Sequence, residues 1–359
     1  MLFQRRIFAN AALFDWRSYV NQYRGLSRVK RLRAIALCNQ IPDRIEAKRL
    51  LHTEIKNGLE VDPYNDFFNF VDVGSDREFN KDDSISQKIA QRAQNRLQKI
   101  NEDLTSYKLN LARDSLRVTQ NDLGEVYLAM EMFGEASNNF TKAQGYNNTD
   151  AHENESLINL LRTALFERNH DIIINLTDQA QRGNFDLNYP EAQQYYSIIK
   201  VALAIDAFRR SDFLDAARYL IRCYESIGDK FNEFFVPSDI ARLGAICVLA
   251  TFERDQIRDN VIKSTSFQSL LQTVPEMKEA IDAFYNRDFL KCLYNIESQM
   301  IHLVFDPIVG KSLERLDRLI FERCSITYIQ PYAQIDLNKM SKDLGRPNEE
   351  LQNILVEII

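Results

Sequence analysis

The sequence predicts a mainly all-α protein, a solenoid of short helical hairpins followed by a partial winged helix. Three observations carry this. Eleven Gly and eight Pro in 359 residues are few, which favours helix over a turn-rich β fold. The stretch Leu123 to Ala143 sets small and large residues in the order L-G-x2-Y-x8-A-x3-F-x2-A, the spacing of two short helices packed antiparallel. The same unit recurs, in degraded form, at intervals near forty residues.

The chain opens with MLFQRRIFANAALF, which has two Arg and no acid before Asp15. A transit peptide has a similar composition, but this stretch runs straight into helical pattern. From residue 14 to 40, Tyr19, Tyr23, Leu26, Val29, Leu32, Ile35 and Ala36 recur on helical faces, and Gly25 predicts a break into two helices. Arg24, Arg28, Lys30, Arg31 and Arg33 form a basic face. It reads as a solvated helix surface or, through Arg24, Arg28 and Arg31, as a docking face for an acidic partner. Pro42 opens a further helix and Gly58 closes it, so residues 1–57 form an N-terminal helical extension. Residues 58–83 lose the helical period and carry eight acids, among them Asp72, Asp76 and Glu78, against Arg77 and Lys81. They also hold Tyr64, Phe67, Phe68, Phe70 and Phe79, which predicts an acidic linker with an anchored middle.

Ser84 to Leu123 contains no Gly and no Pro, and Ile85, Ile89, Ala93, Leu97, Ile100, Leu104, Tyr107 and Leu111 step by three and four. The pattern predicts one long amphipathic helix with a single buried stripe. It leads into the array, which runs over residues 84–312 with it. The unit at 123–143 has most of the tetratricopeptide signature, with Gln120 where an aromatic belongs. Gly124 and Ala136 are predicted to face each other, with Tyr127 and Phe140 filling the gap. Copies follow at Leu160, Leu161, Ala164, Ile173, Thr177 and Ala180, and at Leu203, Ala204, Ala207, Ala216, Leu220 and Cys223. Leu243, Gly244 and Cys247 give a first half, and Ala280, Ala283, Cys292 and Ile296 a last copy.

Ser312 is placed to cap a helix running to about Cys324. Ile326, Tyr328 and Ile329 read as a short strand stopped by Pro331. Asp336 to Leu344 is a helix, Gly345 and Pro347 make a turn, and Asn348 caps a final helix. This order makes residues 313–359 the front half of a winged helix.

Sites for chemistry are missing from the pattern. His52, His152, His170 and His302 are scattered, with no zinc-binding pair, and no glycine-rich phosphate loop or nucleophile elbow occurs. No catalytic residue, metal ligand or cofactor is therefore predicted. Five Cys without a C-x-x-C suggest reduced thiols and a cytoplasmic or nuclear home. No uncharged apolar run reaches the ~18 residues of a membrane span. Net charge is −6 and the pI about 5.5, which gives no help to phosphate-backbone binding. A nucleic-acid-binding winged helix is a rival reading, but its last helix holds Glu349, Glu350 and Glu357 without a cation.

Helical hairpins ending in a winged helix are the layout of the PCI domain. The blocks YRGLSRVKRL (23–32), SYKLNLARDSLRVTQNDLGEVYLAMEMFGEASNNFTKA (106–143), NEFFVPSDIARLGAICVLATFER (232–254), NVIKSTSFQSLLQTVPEM (260–277) and YIQPYAQIDLNKM (328–340) make the resemblance closer. They resemble the subunit 1 family of the constitutive-photomorphogenesis-9 (COP9) signalosome. The proteasome-lid counterpart, which shares the VIK…P motif and the helix-turn-helix, is a second reading. The resemblance implies a non-catalytic scaffold in a complex that removes a ubiquitin-like modifier from cullin-RING ligases. It also implies contacts with other signalosome subunits and cullin-RING components, and none with nucleic acid or membrane. The winged helix would add a strand to neighbouring subunits. That places subunit contacts at Ile326, Tyr328, Ile329, Tyr332, Ile335, Leu355 and Ile358. The family continues beyond the final helix with a wing and a bundle helix, which this sequence does not include.

Overall fold

A computed structural model describes residues 2–70, 79–182 and 186–358. Among them are twenty α-helices and no strand. Packing divides the chain into two units, Arg24–Asn184 and Met1–Tyr23 with Phe185–Ile359. Helices α1 (Leu2–Ile7) and α2 (Trp16–Asn21) belong to the second of these.

The unit Arg24–Asn184 begins with α3 (Gly25–Leu37) and α4 (Arg44–Asn57), which pack as a pair. The expected linker is partly helical. Asp62–Phe70 forms α5, and Tyr64, Phe67 and Phe79 are buried around the ring of His52. Five aromatic side chains within sixteen residues outweigh the acidic composition that suggested a solvated loop. Asp72, Asp76, Arg77 and Glu78 lie outside the described residues.

The long helix is also corrected: α6 (Asp83–Leu109) stops short, and α7 (Arg113–Ala129) turns back on it. Leu111 adopts a left-handed φ of 53°, and the Ala112 N–H donates to the Tyr107 carbonyl. The stripe through Leu104 and Tyr107 matches both a continuing helix and a helix that ends, because a non-glycine left-handed residue leaves no composition signal. The hairpins continue with α8 (Phe133–Gln144), α9 (Asp150–Glu167) and α10 (His170–Gln181).

In the other unit, α11 (Pro190–Arg209) and α12 (Phe213–Leu220) form a hairpin. The helices α13 (Pro237–Thr251), α14 (Arg254–Ile257), α15 (Thr265–Leu271), α16 (Pro275–Tyr285) and α17 (Phe289–Val304) follow. The chain then forms α18 (Leu313–Ile329), α19 (Leu337–Leu344) and α20 (Asn348–Ile358). Helices α11 and α13 are buried on nearly all sides, as their apolar sequences require. Tyr23 reaches α13, where its hydroxyl donates to Asp239 Oδ2 at 2.5 Å. The same carboxylate accepts the Val236 N–H at 3.3 Å, so one side chain caps α13 and binds a block some 200 residues away.

The repeat has a backbone signature. The carbonyls of Tyr107, Tyr127, Ala164, Ala207 and Ala283 each accept the N–H five residues on, from Ala112, Met132, Asn169, Asp212 and Asp288. Residue 111, 131, 168, 211 or 287 is left-handed at each of these turns. Four are the turns of the recurring sequence units, and Tyr107 adds one that the spacing did not show. The copy at Leu243, Gly244 and Cys247 is buried in α13 but leaves through extended Phe252, without this turn. Gly124 lies against Phe140, one of the two rings expected to fill that gap. A Cβ there would lie 2.6 and 2.7 Å from Cδ1 and Cζ of Phe140, so the glycine makes room for that ring. Ala136 and Phe140 are fully buried, beside Leu128 and half-buried Tyr127.

The strand expected at Ile326, Tyr328 and Ile329 is the last turn of α18. Leu313, Leu316, Ile320, Phe321 and Cys324 recur on one buried face and carry the helix through a β-branched run. Thr327 donates back to the Arg323 carbonyl at 2.8 Å. Pro331 then ends the helix. Asp336 caps α19 by accepting the Asn338 N–H, and left-handed Gly345 closes it.

Candidate subunit-interaction surfaces

The helix-turn-helix α18–α20 is held by a charge cluster absent from the sequence expectations. Arg346 follows the left-handed Gly345 and turns inward, with its side chain 1% exposed. Its guanidinium donates to Asp317 Oδ1 at 2.9 Å and Glu350 Oε1 at 3.1 Å, and pairs with Glu297 Oε1 at 2.8 Å. It lies 4.9 Å from the Phe321 ring centre. Arg6 of α1 binds the same three carboxylates, at 2.6 Å to Asp317 and 3.0 Å to Glu297 and Glu350. Two guanidiniums thus tie α1, α17, α18 and α20 together. Burial pushes the Asp317 carboxyl up to about 7, with Glu297 and Glu350 adding to the rise and Arg6 opposing it. Burial raises Glu297 as well. Removing one partner from a buried cluster of this kind would leave the others uncompensated, at a cost of about 3–5 kcal/mol.

Apolar side chains stand exposed at the end of α18 and in the segment that follows it. Ile326, Tyr332 and Ile335 are 44%, 58% and 36% exposed. Tyr328 and Ile329 are half-buried. The Tyr328 hydroxyl donates to Asp343 at 2.7 Å, and its ring lies 5.8 Å from Tyr332. Burial first, and then that hydrogen bond, pushes this phenol up to about 12. Leu355 lines an open groove of about 400 Å³ with Leu337, Gln352 and Val356. The side chain of Ile358 lies outside the described residues. Sequence reasoning missed Leu290 and Tyr294, exposed at i and i+4 on α17. Their signal was an apolar pair off the buried stripe of that helix. It also missed Arg6, Asp317 and Arg346, because nothing in a one-dimensional pattern brings three distant charges together.

The basic face of α3 is spent inside its own unit. Arg31 is fully buried and donates to the Ser27 hydroxyl. Arg28 binds Glu54 at 3.0 Å. Lys30 pairs with Glu131 at 3.7 Å and lies over Phe166, and Arg33 lies over Phe70. Only Arg24 among the three expected docking residues is exposed. The helical wheel counted cations correctly but could not show that α3 packs against its neighbours on that side.

Among the described residues, no three His, Cys, Asp or Glu side chains are grouped to hold a metal ion. No helix among them is long and apolar enough to cross a membrane. His302 packs edge-on against Phe14 at 5.2 Å, and burial, with Arg242 nearby, lowers its pKa to about 4.

Comparison with known proteins agrees with this architecture. The family described as 26S proteasome subunit RPN7 matches residues 82–260, and the PCI domain matches residues 296–359. COP9 signalosome complex subunit 1 of Arabidopsis thaliana is 25% identical over 341 residues, covering 94% of this chain and 76% of its own. The subunit 1 of Emericella nidulans is 26% identical over 351 residues, 95% of this chain and 68% of its own. Subunit 1b of Drosophila melanogaster is 25% identical over 266 residues, 74% of this chain and 50% of its own. Helical hairpins with a shared turn, a helix-turn-helix after them, and likeness along nearly the whole length lead to one conclusion: the chain matches the PCI domain over residues 296–359 and resembles subunit 1 of the COP9 signalosome.

Proposed function

We propose that this chain is a non-catalytic scaffold subunit of a signalosome, the complex that removes a ubiquitin-like modifier from cullin-RING ubiquitin ligases. The observation that carries the proposal is likeness to subunit 1 proteins over 94% and 95% of the chain, joined to a fold made of contact surfaces. In this reading the hairpins at 84–312 and the winged-helix part at 313–359 hold other subunits. The contacts fall on Ile326, Tyr332, Ile335 and Leu355. Cullin-RING components are further partners, in cytoplasm and nucleus. The isopeptidase chemistry belongs to another subunit.

Native co-purification tests this. Signalosome subunits and cullins should accompany the chain; proteasome ATPases in their place would overturn the assignment. The proteasome-lid reading is kept because residues 82–260 match the RPN7 family. In a deneddylation assay the pure chain should show no turnover above background, and the assembled complex should. Turnover by the pure chain would refute the scaffold role. Binding to duplex DNA is not expected, since Glu349 and Glu350 stand at the start of α20 and no cation follows on that helix.

A further inference from the structure

The five hairpin turns provide an internal control on one another. Their left-handed residues are Leu111, Glu131, Arg168, Ser211 and Arg287. A left-handed φ is unfavourable for any residue with a bulky side chain, and turns that face water favour polar residues. Four of the five are polar or charged. Leu111 departs from the set: it is strained and 83% exposed. Leu109, which ends α6, is 81% exposed. These are the two most exposed large hydrophobic side chains among the described residues. The periodicity of α6 would have kept Leu111 in the buried stripe, and the turn at Asn110 swings it out. Strain and apolar exposure at one site are features that persist where a surface has a use.

Exposed Lys108 and Arg113 flank the two leucines. We propose that the α6–α7 turn is a docking knob: Leu109 and Leu111 enter an apolar pocket rimmed by carboxylates on another protein. Burial in such a pocket removes both leucines from water and sets each cation beside an acid. An anionic membrane is the weaker match. The chain carries a net charge of −6, and two leucines offer less apolar surface than stable membrane anchoring needs. That the partner is a signalosome subunit rests on the proposed function; the knob itself does not.

The test places a photo-crosslinking amino acid at position 111 in the full chain, and at position 211 as a control in the same turn geometry. Both are expressed in cells, and the native complexes are purified. Position 111 should crosslink to one protein, at a peptide where apolar residues adjoin Asp or Glu, and position 211 should not reach that peptide. The double variant Leu109→Ser, Leu111→Asn should then bind that purified protein at least tenfold more weakly. Its melting temperature should hold or rise by about 1–3 °C, because Asn tolerates the left-handed backbone. A crosslinked protein that is neither a signalosome subunit nor a cullin-RING component keeps the knob and counts against the proposed function. No crosslink from position 111, crosslinks to lipid alone, or unchanged affinity of the double variant overturns the knob.

Discussion

Arg31 shows how far a single residue departs from its helical-wheel position. Its guanidinium is buried in the unit that the expected docking face was to present outward. Charge reversal there should cost about 3–5 kcal/mol, whereas reversal at exposed Arg24 should stay within about 0.5 kcal/mol. Thermal melts of Arg31→Glu and Arg24→Glu check this, and equal melts would restore the docking face. Two titrating groups in the other unit act in opposite senses. Asp317 has its folded pKa raised to about 7, so the folded state holds a proton that the unfolded state has lost above about pH 4. Its contribution therefore falls as pH rises from about 4 to about 7. His302, lowered to about 4, binds its proton more readily unfolded, so its contribution falls as pH drops from about 6.5 toward 4. Across melts from pH 4 to 8, Asp317→Asn should remove the loss that grows as pH rises from about 4 to 7, and His302→Gln the opposing loss that grows as pH drops from about 6.5 to 4. If neither variant changes its slope, the burial assigned to these groups is wrong.

At the scale of elements, the hairpin is the unit of construction. Gly124 leaves α7 no side chain where the Phe140 ring of α8 crosses it. Gly124→Ala should cost about 1–3 kcal/mol by overpacking. Phe140→Leu made in the same chain should recover part of that loss, since touching residues do not add. A double-mutant cycle on melting free energies measures the coupling; strict additivity would place the two residues apart. The same scale explains two corrected elements. A helix end with a non-glycine left-handed residue divides α6 from α7 where composition gives no warning. The β-branched run Ile326–Ile329 stays helical because α18 already has a buried face to extend.

For the molecule as a whole, assembly is the property at stake. Tyr332→Asp with Ile335→Asp should leave the melt within about 1 kcal/mol, since both side chains are exposed. On the proposed function, the same pair should weaken incorporation into a complex formed with signalosome subunits. Incorporation equal to wild type would move the interface elsewhere on the chain. The sequence by itself determined the helical class, the recurring hairpin unit, the helix-turn-helix at the end and the likeness to signalosome subunits. These follow from local periodicity and residue order, which survive in one dimension. Tertiary structure alone decided that Arg31 faces inward. It alone brought Arg6 and Arg346 to share three carboxylates, and turned Leu111 into water. Each of these depends on which surfaces meet after the chain folds back, and helical spacing constrains a face without naming its neighbour.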